Sequence, residues 1–277
     1  MHPFFHQKRI TSVQQLDETV SAQTIHLDTG SETVAQIWVE PHTFKITRAR
    51  LELLRNERGI PTDAYDVSAL HGIEAYFGCG KPFRTALKPY PPLAAELFLE
   101  NVSALIQAET FLIKERGYSS LEAYVDHWKT FYTGSCRYYS SLEAVKRSWG
   151  DYVSSRHKGT ILFNRFKVFT LDRWDNGLIL RASMTDSFHE MSCALRLDLT
   201  GGSVREATGA ILRAPDHVCS DAAVFITRLN GSCFPNLNRD AIATILGKKQ
   251  GCVHLIDLTC EAAKFLKTAP GFSKTNS

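Results

Sequence analysis

Three short stretches in the C-terminal half carry side chains that can coordinate a metal or attack an electrophile. They are Asp186-Ser-Phe-His189-Glu190, Arg213-Ala-Pro-Asp-His217-Val-Cys219 and Gly251-Cys252-Val-His254-Leu. Thiolate is the form of cysteine that does either job, and the positive end of a helix dipole favours it. Cys219 and Cys252 each stand at an expected helix start. Two thiolates, one imidazole and one carboxylate make a tetrahedral set suited to Zn²⁺. A set in which His replaces Cys also suits some iron–sulfur clusters. The expected metal ligands are Cys219, Cys252 and His254, with Asp186 or His189, or alternatively Glu190, from the first stretch.

Each residue also has an ordinary use. Cysteine is among the most buried residue types, and Asp often closes a turn through its side chain. Cys193, inside an expected strand, and Cys260, on an expected helix face, read as core residues. Gly78-Cys-Gly-Lys81 lacks the spacing and the following Ser or Thr of a phosphate loop.

The elements that must position the three stretches follow a repeated pattern. Shifting the chain by 158 residues lays 28–55 over 186–213 without a gap. Asp28 then meets Asp186, Glu32 meets Glu190, and Leu54-Arg55 meets Leu212-Arg213. Leu70-His71-Gly72 meets Leu229-Asn230-Gly231 after a one-residue slip. Runs rich in β-branched and aromatic residues predict strands at 160–170, 177–185, 191–199 and 203–213, with Asp175-Asn-Gly and Gly201-Gly202 as turn signals. The same rhythm predicts strands at 9–15, 20–27, 33–39 and 44–54. Helices are expected from a Ser220-Asp221 cap through Leu229, over 239–246 after Asn238, and over 253–266. Residues 93–114 read as the counterpart of the last.

The fold class is therefore α+β. Two diverged repeats are expected, at 1–116 and 159–277. Each is an antiparallel sheet of about four strands followed by two or three helices. A helical connector, 117–158, joins them, with Ser119-Ser-Leu-Glu and Ser140-Ser-Leu-Glu as helix starts. Its Trp128, Tyr132, Trp149 and Tyr152 are expected to pack rather than to bind a cofactor. The first repeat lacks the ligands: His189 falls on Ser31, His217 near Gly59, Cys219 near Pro61 or Thr62, and the last pair near Ala94 and Glu96. Two such units could form an intramolecular pseudo-dimer.

Composition narrows the class of function. The 277 residues are 44% hydrophobic and 22% charged with a net charge of +3, an ordinary globular balance with no concentrated basic run. Neither nucleic acid nor a membrane is an expected partner. The N-terminal residues contain no apolar run of signal-peptide length, so a cytoplasmic location is expected. Seven scattered cysteines then read as thiols or metal ligands rather than disulfides.

The Asp-Ser-Phe-His-Glu loop, Leu-Arg-Ala-Pro-x3-Cys219 and Gly-Cys252-Val-His254-Leu together resemble an uncharacterised bacterial domain family marked by a Gly-Cys-x-His-Leu ending. That resemblance covers about the last hundred residues and carries no established activity. A more distant likeness is to NifU/SufU-type iron–sulfur scaffold proteins. Their ligands lie in a Cys-Gly-Asp loop, before a helix, and at the start of a late helix. Cys219 resembles the second and Cys252 the third, with His254 as a substitute donor. The first slot has no Cys here, which favours zinc over a two-iron cluster. The resemblance implies a metal-binding scaffold or accessory protein, acting on a client protein. The alternatives are a cysteine-dependent enzyme acting on a small molecule, with Cys219 as nucleophile and His217 or His254 as base, and a non-catalytic interaction module.

Overall fold

The computed structural model describes residues 3–56, 62–154, 158–174, 177–199, 202–269 and 272. The turn signals at Asp175, Asn176 and Gly201, and the counterpart positions Gly59 and Pro61, lie outside the described residues. In chain order the elements are β1 (Pro3–Leu16), β2 (Thr19–Asp28), β3 (Ser31–Val39), β4 (Ile46–Asn56), β5 (Asp63–Asp66), α1 (Gly80–Ala86), α2 (Pro92–Ala108), α3 (Leu121–Tyr132), α4 (Arg137–Ser140), α5 (Trp149–Ser154), β6 (Ile161–Trp174), β7 (Gly177–Asp186), β8 (Glu190–Asp198), β9 (Val204–Arg213), α6 (His217–Ser220), α7 (Arg239–Ile245) and α8 (Val253–Thr268). The strands are hydrogen-bonded in the order β5-β4-β3-β2-β1-β6-β7-β8-β9. The pairs β2–β3, β3–β4, β4–β5, β7–β8 and β8–β9 are antiparallel. The mixed α and β character expected from the residue pattern is present.

The chain divides into two compact units. One comprises Lys8–Val125 and Val153–Phe166; the other comprises Met1–Gln7, Asp126–Tyr152 and Lys167–Ser277. In the first, α2 lies on β2 and β3. Its contact with the sheet is partly polar. Thr24 Oγ1 donates to Asn101 Oδ1 at 2.6 Å, and Asn101 Nδ2 donates to the Ala35 carbonyl at 3.0 Å. Arg9 meets Glu96 at 2.8 Å and Arg165 meets Glu100 at 3.1 Å. Burial of polar groups on this scale is tolerated because each has a partner.

The second unit has an apolar core. Alternating residues of β7 and β8, among them Leu180, Ala182, Met184, Met191, Cys193 and Leu195, meet Leu255, Leu258, Ala262 and Phe265 of α8. The expected core roles of Cys193 and Cys260 fit this: Cys193 is inside the cluster and Cys260 packs against its edge. Phe265 stacks on Phe5 with ring centroids 4.9 Å apart. Asn238 caps α7 by accepting from the Ala241 N–H at 2.9 Å, and Gly247 then turns the chain with φ of 90°. One expected helix differs. Asp216, not Ser220, is the cap, accepting from the Val218 N–H at 3.1 Å. A single turn, α6, then gives way to a 3-10 stretch over Asp221–Leu229. In the connector, Ser120 caps α3 through the Ala123 N–H at 3.2 Å. The second expected start yields only a 3-10 turn, Leu142–Ala144, and Ser148 takes over as the cap of α5 by accepting from the Asp151 N–H at 3.1 Å.

Two hairpin turns are built alike. Asp28 Oδ1 accepts from the Gly30 N–H at 2.8 Å, and Arg55 Nη2 donates to the carbonyls of Asp28 at 2.9 Å and Ser31 at 3.2 Å. Asp186 Oδ1 accepts from the Phe188 N–H at 2.8 Å, and Arg213 Nη2 donates to the carbonyls of Asp186 at 2.7 Å and His189 at 3.1 Å. In both turns the carboxylate fixes the inside and the guanidinium ties down the outside.

Burial alone would raise the Asp28 carboxyl. Hydrogen bonds from His26, the Gly30 N–H and Ser31, together with the charge of His26, instead hold it at about 2 against an ordinary 3.8. A pKa lower in the folded chain than in the unfolded one stabilises the fold only while the group is ionised. That stabilisation is complete above the ordinary value and disappears as pH falls through the folded one. Asp28→Asn should flatten the acid limb of unfolding free energy between pH 4 and 2, read from urea melts at stepped pH. A limb as steep as wild type would show that Asp28 is not responsible.

Candidate metal centre

Cys252 is the N-cap residue of α8, with extended backbone at φ −96° and ψ 119°. It gets there by a close approach. At Gly251 a Cβ would overlap the Leu246 carbonyl oxygen, so the residue before the cysteine must lack a side chain. This is the physical reason for a glycine in the Gly-Cys-x-His-Leu stretch. Cys219 lies in the single turn α6, held by the Asp216 cap. The Asp216 carboxylate also accepts from the backbone N–H groups of Lys146 at 3.0 Å and Arg147 at 2.8 Å. Burial would raise this carboxyl, but the three backbone donors, with His217, pull it below the usual range. His217 pairs with Asp216 at 2.7 Å and is half exposed.

The three stretches meet within the second unit. Arg213 ties the 186–189 turn to the end of β9. The His189 ring stands on the His254 ring of α8, with centroids 4.0 Å apart. His189 Nδ1 also meets Asp186 Oδ1 at 3.1 Å, and both side chains are buried. Asp186 Oδ1 therefore serves Phe188 N, His189 N and the His189 ring together. Phe188 seals the turn: its carbonyl accepts from the Tyr152 hydroxyl at 2.8 Å, and Trp149 packs on its ring edge at 5.0 Å.

Residues 174–267 match the model of a protein family of unknown function, DUF2889. The matched segment runs from the end of β6 to the last turn of α8 and contains Asp186, His189, Cys219, Cys252 and His254. No curated protein and no solved structure matches the chain.

Both thiols in the matched segment are buried. Burial pushes Cys219 up to about 12, with Cys252 beside it and Cys136 adding to the rise. Burial likewise pushes Cys252 up to about 12; N–H groups of Leu255 and His254 oppose it and Cys136 adds to it. Burial at both helix starts therefore favours the protonated thiol. Desolvation outweighs the dipole of a one-turn α6 and of the α8 N-terminus. Among the described residues, no group of three or more His, Cys, Asp or Glu side chains is placed so that it could hold a metal ion. No helix among them is long and apolar enough to cross a membrane.

Sequence reasoning did not single out Cys136. It lies in the connector, as the N-cap residue of α4, and packs with Tyr139 and Val145 against Tyr138, Val218 and Cys219. No spacing signal marks it, since its neighbours in the chain carry no other candidate ligand. Only the three-dimensional path of residues 134–139 could reveal it.

Gly251→Ala should destabilise the second unit by about 1–3 kcal/mol, because the backbone of residues 246–252 must shift to admit the methyl group. Gly231→Ala is the comparison. Its φ of 79° is strained for Ala, but a Cβ there meets nothing within 4 Å. Denaturant melts of both variants decide it, and a Gly251→Ala midpoint equal to wild type would refute the close approach.

Proposed function

We propose that this chain is a metal-binding scaffold or accessory protein, with its centre in the second unit on Cys219, Cys252 and an imidazole, His254 or His189. The carrying observation is that two buried, unbridged thiols from separate junctions lie close enough for Cys252 to add to the cost of charging Cys219. Buried thiols grouped in this way are poor free nucleophiles but become good ligands once an ion replaces their protons. Two thiolates and an imidazole fit Zn²⁺ by chemistry and supply three of its four usual donors. Cysteine side chains turn about χ1, which moves the sulfur by about 3 Å between rotamers, so neighbouring thiols can close on an ion from the present arrangement. Asp186 has a smaller claim as ligand, because one oxygen already serves three donors in the turn.

The likeness to NifU/SufU-type scaffolds agrees with this in the order of the stretches. Separately from that likeness, we read a duplication in the two units. The strand pair β1 and β6 has 14 residues in each member, and β2 and β7 have 10 in each. The ladder irregularities at Glu32/Thr33 and Trp38/Val39 recur at Glu190/Met191 and Arg196/Leu197. Every one of these pairs is separated by the offset that relates Asp28 to Asp186. In this reading the first unit keeps the turn carboxylate and its arginine clamp and has lost the thiols. Ala94, which is buried in α2, stands at the Cys252 offset.

Elemental analysis of the full chain, purified reduced and without oxygen, tests the centre. About one equivalent of zinc or iron is expected in the wild type, and Cys219→Ser or Cys252→Ser should remove most of it. Less than about a tenth of an equivalent of any transition metal in the wild type, before and after incubation with Zn²⁺, would overturn the proposal.

A further inference from the structure

We infer that Cys136 is the third thiol of this centre, so that its donor set comes from the connector as well as from the matched segment. The inference rests on the metal reading above and adds a ligand that lies outside residues 174–267. Its basis is the residue next in the chain. The Arg137 N–H donates to the Gly251 carbonyl at 2.9 Å, and Arg137 Nε donates to the Val218 carbonyl at 2.8 Å. Gly251 immediately precedes Cys252, and Val218 immediately precedes Cys219. One residue is thus bonded to the backbone just before each of the two other cysteines. Through the first of these bonds, the Cα atoms of Cys136 and Cys252 lie within roughly 8 Å of each other by standard backbone dimensions.

The local fold keeps Cys136 in that place. Residues 134–139 form a tight loop, with the Gly134 N–H donating to the Tyr139 carbonyl at 3.2 Å. Gly134 has φ of 72°, and a Cβ on it would come within 3.6 Å of Lys249 Nζ. The loop therefore sits on the same 247–251 turn that delivers Cys252. Arg137 Nη2 makes a further ion pair with Asp221 at 3.1 Å, on the segment that follows Cys219. Tyr138 and Val218 are buried around the thiols, and the Tyr139 ring stacks on Tyr132 at 5.2 Å to form an outer layer.

Cys136 differs from the other two in being only half-buried, while Cys219 and Cys252 are each 9% exposed. It is therefore the thiol that an incoming ion, or a ligand on a client, meets first. Three thiolates with the His254 imidazole make a Cys3His set, a known closed arrangement for Zn²⁺. Soft thiolates select zinc, Cu(I) and iron–sulfur species over Mg²⁺ or Ca²⁺. On binding, each thiol loses its proton to solvent and forms one sulfur–metal bond, with no change of oxidation state.

The test uses the full chain, reduced and free of oxygen, with Zn²⁺ as the probe. Iodoacetamide labelling with and without one equivalent of Zn²⁺ is followed by mass spectrometry at each cysteine. Zinc should slow labelling of Cys136, Cys219 and Cys252 together, by about tenfold or more, and leave the exposed Cys233 unchanged. Competition against a chromophoric chelator should show Cys136→Ser weakening zinc by at least about tenfold, with Cys260→Ser unchanged and circular dichroism of both as in the wild type. If zinc protects Cys219 and Cys252 but not Cys136, the third thiol is wrong and the metal reading stands. If zinc protects none of the three, both fail. The labelling arm needs no variant, so a misfolded Cys136→Ser would not rescue the inference.

Discussion

At Gly251 the chain passes so close to the Leu246 carbonyl that no side chain fits, and this contact sets where α8 begins. Cys252 and His254 take their positions from it. The tight 247–251 turn puts Cys252 at the N-cap of α8 and leaves the Gly251 carbonyl free to accept from Arg137. The apolar face of α8, anchored by Phe265 on Phe5 and the β7–β8 core, then fixes the direction in which His254 leaves the helix toward His189. A packed core transmits such constraints because it has little room to relax. The site is therefore built from backbone contacts first and side chains second.

Charge disfavours the thiolate form of Cys219 and Cys252. A helix start offers a fraction of a unit charge at its N–H groups, whereas removing a thiolate from water costs more. Burial wins at both Cys219 and Cys252, and each neighbouring sulfur makes a second negative charge harder still. A divalent cation reverses the balance, since it supplies the positive charge that the protein does not. By contrast, the nearby carboxylates have their partners in place. Asp216 holds three backbone N–H groups and Asp186 holds the 186–189 turn. Within one small region the oxygens do structural work and the sulfurs remain unbridged.

Much of the fold was legible because local signals agreed. Runs rich in β-branched and aromatic residues marked β6 to β9 to within a few residues, and Asn238 with Gly247 bracketed α7 as capping rules require. The start at Asp216 was missed because an Asp three residues before Cys219 competes with the Ser220-Asp221 pair, and only the Val218 N–H decides between them. The second connector helix was misplaced by the same kind of competition, between Ser140 and Ser148. Of the candidate site, the residues with motif-like spacing were visible and Cys136 was not. Its approach to Cys219 and Cys252 depends on a hydrogen bond between residues 137 and 251, and no periodicity encodes a contact of that separation.

The two hairpin turns carry the comparison between the units furthest. The carboxylate and arginine that close the 28–31 turn and the 186–189 turn act on corresponding atoms. A turn needs those groups whatever its unit does, so both turns carry them. The groups that differ are the ones a turn does not need: Ser31 stands where His189 stacks on His254, and Ala94 fills its place in α2 as plain core. Where the second unit has thiols against α8, the first has Thr24, Asn101 and paired ions against α2, all with partners inside the fold. An interior satisfied in that way holds a sheet and helix together through polar partners. The asymmetry between the units is therefore one of interior chemistry: partnered polar groups lie under α2, and an apolar core with buried, unbridged thiols lies under α8.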